Sequence, residues 1–461
     1  MYDQTELKGK NREELKVIAV KMGLKRVSSL KKAELIAAIT DKQAEEKRLA
    51  AENDRLTRER EEAELAARAA EKQEQDEQQA KHQKKRERPA DAVELTGVLE
   101  VKPDGYGFLR AENFASSNND IYVAPQQIKR FNLKTGDEIT GDCRLTEEEG
   151  KSSPLLFVKK INGDPLEIAL KRRPFEKLVP VFPTERIPLE TEKEILSTRL
   201  IDMIAPIGRG QRGMIVAPPK AGKTTIIKEI GNAIRKNCPG IKLIILLIDE
   251  RPEEVTDIKK SIDCEVIHST FDQLPENHCR LSEMVLERGM RLVEQKKDVV
   301  ILLDSITRLV RAYNLTAQPS GRTLSGGLEP GALYKPKRFF GAARNIENGG
   351  SLTVIATALV ETGSRMDDMI FEEFKGTGNM ELKLDRELQE KRIFPAIDIP
   401  KSGTRREELL LSPEAQKAGW TLRRELADAE RYPQILNLLK ATENNQKFIF
   451  YINESKKNAS H

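Results

Sequence analysis

Apolar residues near the start of the chain recur at helical spacing: Leu7, Leu15, Ile18, Met22, Leu30, Leu35, Ile36 and Ile39. Asn11 and Glu14 are spaced as a reciprocal N-terminal cap and Gly23 as a stop, so residues 1–40 are expected to form a small helical module. The rhythm then disappears. Residues 41–90 are dominated by Glu, Lys, Arg, Gln and Ala without one aromatic side chain, too little apolar area to offset the entropy of ordering, and they read as a charged linker. Its basic end, Lys81 to Arg88, suits a solvated spacer or a contact with nucleic acid.

Over residues 91–165 the period shortens to two. Segments 93–101, 106–110, 121–124, 138–145 and 155–161, punctuated by turn residues, predict five short strands and a small closed barrel of the OB type. Pro174, Pro180, Pro183 and Pro188 mark residues 166–194 as a connector. Residues 195–461 change pattern again: runs that are apolar at every position, 214–216, 241–248, 299–303 and 352–356, alternate with helical segments. Such runs need cover on both faces, which predicts an α/β unit with a mostly parallel sheet and ligands at the carboxyl ends of its strands.

Composition narrows the class without naming a partner. The 78 Lys and Arg nearly cancel the 74 Asp and Glu, so any affinity for a polyanion must be local. Cys143, Cys238, Cys264 and Cys279 form no CxxC pair, which argues against a zinc site or a disulfide framework and for a reduced, cytoplasmic protein. The most apolar run, 243–248, is far shorter than the roughly 20 residues a bilayer requires. A chain that is neither secreted nor membrane-spanning is expected.

The strand ending near Val216 leads into Ala217-Pro218-Pro219-Lys220-Ala221-Gly222-Lys223-Thr224, after which Ile226, Ile227, Ile230, Ala233 and Ile234 keep helical spacing. Strand, glycine-bearing loop and helix in that order surround the phosphates of a nucleotide with backbone N–H groups, while Lys223 neutralises charge and the Thr224 hydroxyl holds Mg²⁺. Two further strands end in acids, Asp249-Glu250 and Asp304. Asp304 suits Mg²⁺ coordination through water, and Glu250 suits activation of the attacking water. Either acid also fits a helix N-cap, since Ser305 and Pro252 open the segments that follow.

In the barrel, alternation puts Tyr106, Phe108 and Arg110 on one face of a strand and Leu109 on the other, with Tyr122 opposed to Ile121 and Val123 in the next. If the aliphatic side is the core, three aromatics and an arginine make an outward platform for unpaired bases. The last unit adds two patternless loops, 318–336 around Arg322 and 362–366 around Arg365, and a turn, Ser402-Gly403-Thr404-Arg405-Arg406, whose cations suit a neighbour's γ-phosphate.

Together these segments resemble the bacterial transcription termination factor Rho family over nearly the whole chain apart from residues 41–90. The matching motifs are 208–224 (GRGQRGMIVAPPKAGKT), 249–255 (DERPEEV), 304–314 (DSITRLVRAYN), 336–344 (PKRFFGAAR), 374–382 (FKGTGNMEL) and 402–410. The resemblance implies a cold-shock-like RNA-binding barrel and a RecA-like P-loop ATPase assembled as a homohexamer with ATP between subunits. It implies that residues 217–225, Arg251 and Asp304 bind ATP, with Thr224 and Asp304 at Mg²⁺. Lys223, the base Glu250 and the finger Arg405 would serve catalysis, and Phe394 would stack on adenine. Tyr106, Phe108, Arg110, Tyr122, Arg322 and Arg365 would contact single-stranded RNA. RNA would move 5′ to 3′, dislodging RNA polymerase, with elongation factors as further partners. Where the family can show a third barrel aromatic, this chain reads Lys151-Ser152-Ser153-Pro154, so neither a second base pocket nor a cytosine preference carries over. A rotary ATP synthase subunit, which also joins a barrel to a phosphate-loop domain, and an RNA-binding regulator are the alternatives. Neither the state of the ring, open or closed, nor the target transcripts, nor a role for 41–90 follows from the sequence.

Overall fold

In the computed structural model the described residues are 7, 9–24, 31–42, 44, 45, 48, 92–146, 152–426 and 431–459. Leu30, Lys151 and the basic stretch 81–88 lie outside them. The chain divides into two compact units, Met1–Ala90 and Asp91–His461.

In the first unit the helix Arg12–Lys21 starts where the cap predicts: Asn11 Oδ1 accepts from Glu14 N at 2.9 Å and Glu14 Oε2 accepts from Asn11 N at 2.9 Å. Each bond satisfies a backbone donor that the first helical turn leaves orphaned. Leu15, Ile18 and Ala19 of this helix bury against Leu7, and against Leu35 and Ile39 from the helical residues 32–42.

The second unit opens with the barrel. Strands β1 (Ala92–Val101), β2 (Gly107–Arg110), β3 (Ile121–Val123), β4 (Glu138–Arg144), β5 (Ser153–Ile161) and β6 (Asp164–Pro165) pair in the order β3-β2-β1-β4-β5-β6, and a parallel pairing of β3 with β5 closes the sheet. Leu99, Leu109, Ile121, Val123, Ile139, Cys143 and Leu155 fill it. The aliphatic side of β2 and β3 is therefore the inside.

After β7 (Pro180–Val181) the strands are β8 (Arg212–Ala217), β9 (Lys242–Glu250), β10 (Glu265–Thr270), β11 (Asp298–Asp304), β12 (Arg344–Ile346), β13 (Ser351–Leu359), β14 (Met380–Lys383) and β15 (Gly403–Thr404). The order β10-β9-β11-β13-β8-β14 is parallel throughout, with β15 antiparallel at the edge and β12 pairing antiparallel with β13 and β7. In β9, Leu243, Ile245 and Leu247 enter one core, while Ile244, Leu246 and Ile248 enter the other. Strand β11 splits the same way, with Val300 and Leu302 in the first core and Val299, Ile301 and Leu303 in the second. An unbroken apolar run is what a strand covered on both faces requires.

Barrel and sheet meet through charge. The helix Pro275–Glu294 supplies Arg288, whose Nη2 donates to Glu138 at 2.6 Å and Nε to Glu265 at 3.0 Å. At its end Glu294, with a fully buried side chain, accepts from Phe175 N at 2.9 Å and lies within 3.3 Å of Arg172, Arg291 and Lys134 nitrogens. Arg172 is held from its other side by the fully buried Asp137 at the barrel's edge. Breaking one member of such a network strands the opposite charges in a dry site. Glu294→Ala is expected to destabilise the second unit by about 3–5 kcal/mol, read as a lowered urea midpoint, with weakened docking of barrel on sheet visible as faster amide exchange along β4.

Candidate functional site

β8 ends at Ala217, and the chain turns through Pro218, Pro219, Lys220 and Ala221 to Gly222, which precedes the helix Lys223–Asn237. Gly222 has φ of 89°, the left-handed region where a side chain is strained, and open space around it; conformation rather than crowding selects glycine. No side chain caps this helix, so its first N–H groups point into the loop unclaimed by a side chain. Such a terminus with its dipole is an anion cradle. Pro219, Lys220 and Thr225 are exposed beside it.

Lys223, at the head of the helix, reaches across the sheet's end. Its Nζ lies 2.6 Å from Asp304 Oδ1 and 3.5 Å from Glu250 Oε2. Both acids terminate their strands, β11 and β9, and both are buried. Burial works against the charge on Lys223, but Asp304 and Glu250 outweigh it and hold its pKa above the ordinary value. Burial, with repulsion from Asp304 and Glu254, pushes the Glu250 carboxyl up, against the pull of Lys223 and Arg308. The capping alternative fails for both acids. Ser305 caps the helix Ile306–Thr316 through Arg308 N, and Arg251 occupies the cap position of Pro252–Ser261 without a side-chain bond.

Three neighbours escaped the sequence reading. Arg308 donates to the Asp249 carbonyl, sits 3.1 Å from Asp249 Oδ2 and 3.7 Å from Glu250 Oε1. Glu254 accepts from the Thr224 hydroxyl at 3.3 Å, and Thr357 on β13 donates to Asp304 Oδ1 at 2.8 Å. Glu254 and Arg308 each stand four residues after a strand-end acid, one helical turn on, and that spacing was the available signal. Nothing local marks Thr357.

The other predicted residues are spread over the same unit. Phe394 is 48% exposed, in the segment that Ile397 ties back to Leu384 at the end of β14. Arg251 is exposed beside Glu250. Arg405 follows Thr404, which registers with Met380 and through it with Gly213. That is the amino end of β8, opposite the phosphate loop, so Arg405 stands away from its own chain's Lys223.

On the barrel, Tyr106, Phe108 and Tyr122 form a partly exposed trio with ring centroids 5.7, 5.9 and 6.1 Å apart. Arg110 departs from the expected outward position. It is 4% exposed, stacked 5.1 Å from the Phe108 ring, and its guanidinium is bound by Glu100 at 2.7 Å and by Asp120. Two carboxylates within reach draw the cation under the rings instead of leaving it in solvent. Pro154 pairs in register with Tyr122 where a third ring was missing from the sequence.

Arg322 and Arg365 are both exposed. The first loop is shorter than expected, ending where Pro330–Leu333 forms a 3-10 turn and Tyr334–Gly341 a helix; a Cβ on Gly326, at φ of 76°, would come within 2.5 Å of Met366 N, so this loop packs on the start of the helix Arg365–Lys375. The fold thus brings the loop that carries Arg322 to the helix that Arg365 opens.

Residues 6–48 match the Rho termination factor N-terminal domain, 95–167 the Rho termination factor RNA-binding domain, and 197–404 the ATP synthase alpha/beta family nucleotide-binding domain. The last match accounts for the likeness to a rotary subunit, and the first two are to domains of a termination factor. Among solved structures, an ATPase from the type III secretion system of pathogenic bacteria aligns with a TM-score of 0.52 at 22% identity, over 68% of this chain and 94% of that one, a likeness of fold. Transcription termination factor Rho of Bacillus subtilis is 55% identical, over 82% of this chain and 89% of the relative. That of Pseudomonas aeruginosa is 54% identical over 79% and 89%, and that of Aquifex aeolicus is 49% identical over 98% and 96%. With identity of this order across most of the length of both partners, the chain belongs to the transcription termination factor Rho family.

Proposed function

We propose that the chain is an RNA-binding, ATP-hydrolysing transcription termination factor that uses hydrolysis to travel along single-stranded RNA. The observation that carries this reading is the meeting of Lys223, Glu250 and Asp304 at one sheet end, in a chain whose barrel also presents an aromatic stacking face. The backbone from Ala217 to Gly222, with Lys220, Thr225 and Arg251 around it, cradles the phosphates, and Phe394 stacks on adenine. Lys223 exchanges its carboxylate partners for the β- and γ-phosphate oxygens, and Glu250, released from that contact, orients and deprotonates the attacking water. Arg405, distant from its own site, serves the next subunit of a homohexameric ring.

Thr224 and Asp304 fit a magnesium ion. Both offer hard oxygen, and Asp304 Oδ2 is buried with no hydrogen-bond partner among the described residues. Among those residues no group of three or more His, Cys, Asp or Glu is placed to hold a metal. When bound, the ion offsets charge developing on the transferred phosphoryl oxygens.

Tyr106, Phe108 and Tyr122 capture RNA by stacking, and Arg322 and Arg365 grip it where the Arg322 loop meets the Arg365 helix. A base reaches Arg110 only in exchange for Asp120 or Glu100. Translocation 5′ to 3′ dislodges RNA polymerase, with elongation factors as further partners. All four cysteines are free and no described helix is long and apolar enough to cross a membrane; we place the protein in the cytoplasm.

Lys223→Ala is expected to lower RNA-stimulated turnover by about a thousandfold, the scale of losing a charge-stabilising donor, with RNA affinity of the barrel unchanged; joint loss of both would contradict separate sites. Phe108→Ala should weaken single-stranded RNA binding by about 1–3 kcal/mol in an anisotropy titration while leaving ATP affinity intact. Glu250 must be ionised to act as base, and its pKa is raised in the nucleotide-free protein, so kcat/KM should fall with acid through a point above the ordinary 4.5. A pH profile flat down to that value would remove Glu250 from the role.

A further inference from the structure

Arg405 is held out from its chain by a turn that has its own clamp. Thr404 Oγ1 donates to Pro206 O at 2.8 Å and Arg405 N to Asn379 O at 2.8 Å, which fixes the backbone leading into the residue's Cα. The Arg405 guanidinium itself is exposed and has no hydrogen bond or ion pair among the described residues. It borders a cavity of about 590 Å³ shared with Arg212, Arg344 and Arg406, a grouping of like charge that an anion would relieve. Arg406, next to it, is already engaged: at φ of 60° its side chain packs 5.0 Å from the Phe182 ring and donates to Glu408 at 2.6 Å.

The turn is gripped from behind by Arg423 of the helix Pro413–Glu425. Its Nε donates to Ser402 O at 3.3 Å, Nη1 to Glu407 Oε1 at 3.0 Å, and Nη2 to Glu407 Oε2 at 2.8 Å and to Ile204 O at 2.6 Å. Trp420, one turn earlier on the same helix, donates to Glu407 Oε1 at 3.0 Å. The fork therefore bonds the turn three residues before Arg405 and two residues after it, and ties both points to Ile204, the last residue of the helix Leu196–Ile204. A lysine has the charge but one nitrogen, and cannot make this set.

We propose that Arg423 is a positioning residue for catalysis in the neighbouring subunit: it fixes the 402–407 turn so that Arg405 meets the transition state there. The inference rests on the reading of Arg405 as a finger acting between subunits. A displacement of about 1 Å at a catalytic group can cost about a hundredfold in rate, and a finger contributes to the transition state more than to bound ATP. Arg423→Lys in the full-length assembly should therefore lower RNA-stimulated kcat by about a hundredfold and weaken binding of ADP with aluminium fluoride, a transition-state mimic, by a similar factor. KM for ATP, affinity for RNA and the mass of the assembly should stay at parental values. Glu407→Gln, which loosens the same clamp but leaves the Arg423 bonds to Ser402 O and Ile204 O, should repeat the split in milder form.

Arg405→Ala is the reference. If it leaves affinity for the mimic unchanged, the finger reading fails and the positioning role with it. If Arg405→Ala loses that affinity and both Arg423→Lys and Glu407→Gln retain it, the finger stands and the positioning role is wrong. Equal loss of ATP and mimic binding, or loss of assembly, in both clamp variants would make Arg423 a structural residue only and would also overturn the proposal.

Discussion

The sheet of the second unit is dry on both faces, and that constraint governs where charge can go. Strands β8, β9, β11 and β13 carry apolar side chains into two cores, so a carboxylate or ammonium along their length would be buried without compensation. Only the strand ends are free for polar chemistry. Glu250 and Asp304 stand there, and Lys223, carried in by the helix after β8, compensates both at once. The cluster is thus charge-compensated within the chain. Thr357 donates to Asp304 and Arg308 lies beside Glu250, so each carboxylate has a second neighbour besides Lys223.

Charge serves a different purpose between barrel and sheet. Asp137, Arg172, Glu294 and Arg291, with Arg288 against Glu138, form a buried junction whose geometry is directional. Such a junction adds little net stability over apolar packing, but it tolerates few alternative docking arrangements. The barrel's aromatic face is consequently fixed in orientation to the motor sheet. The same economy of carboxylates acts under the platform, where Glu100 meets Arg110 of the barrel and lies 3.5 Å from Arg280 of the motor helix.

The sequence by itself determined whatever rests on local period and local chemistry. Unbroken apolar runs fixed the parallel sheet, alternation fixed which side of β2 and β3 faces inward, and the spacing from Ala217 to Thr224 fixed the phosphate loop, because each is decided within a few residues of backbone. The acids Glu250 and Asp304 were legible as strand ends for the same reason. Tertiary structure alone decided which partners those groups take. Arg110 looked solvated by alternation, yet Glu100 and Asp120 from other parts of the barrel bury it against the Phe108 ring; Thr357, Arg172 and Arg423 carry no local mark, since their bonds join positions far apart in the chain. Hydrogen bonds and ion pairs depend on distance in space, and the folding of a 461-residue chain sets that distance in ways no window of sequence contains.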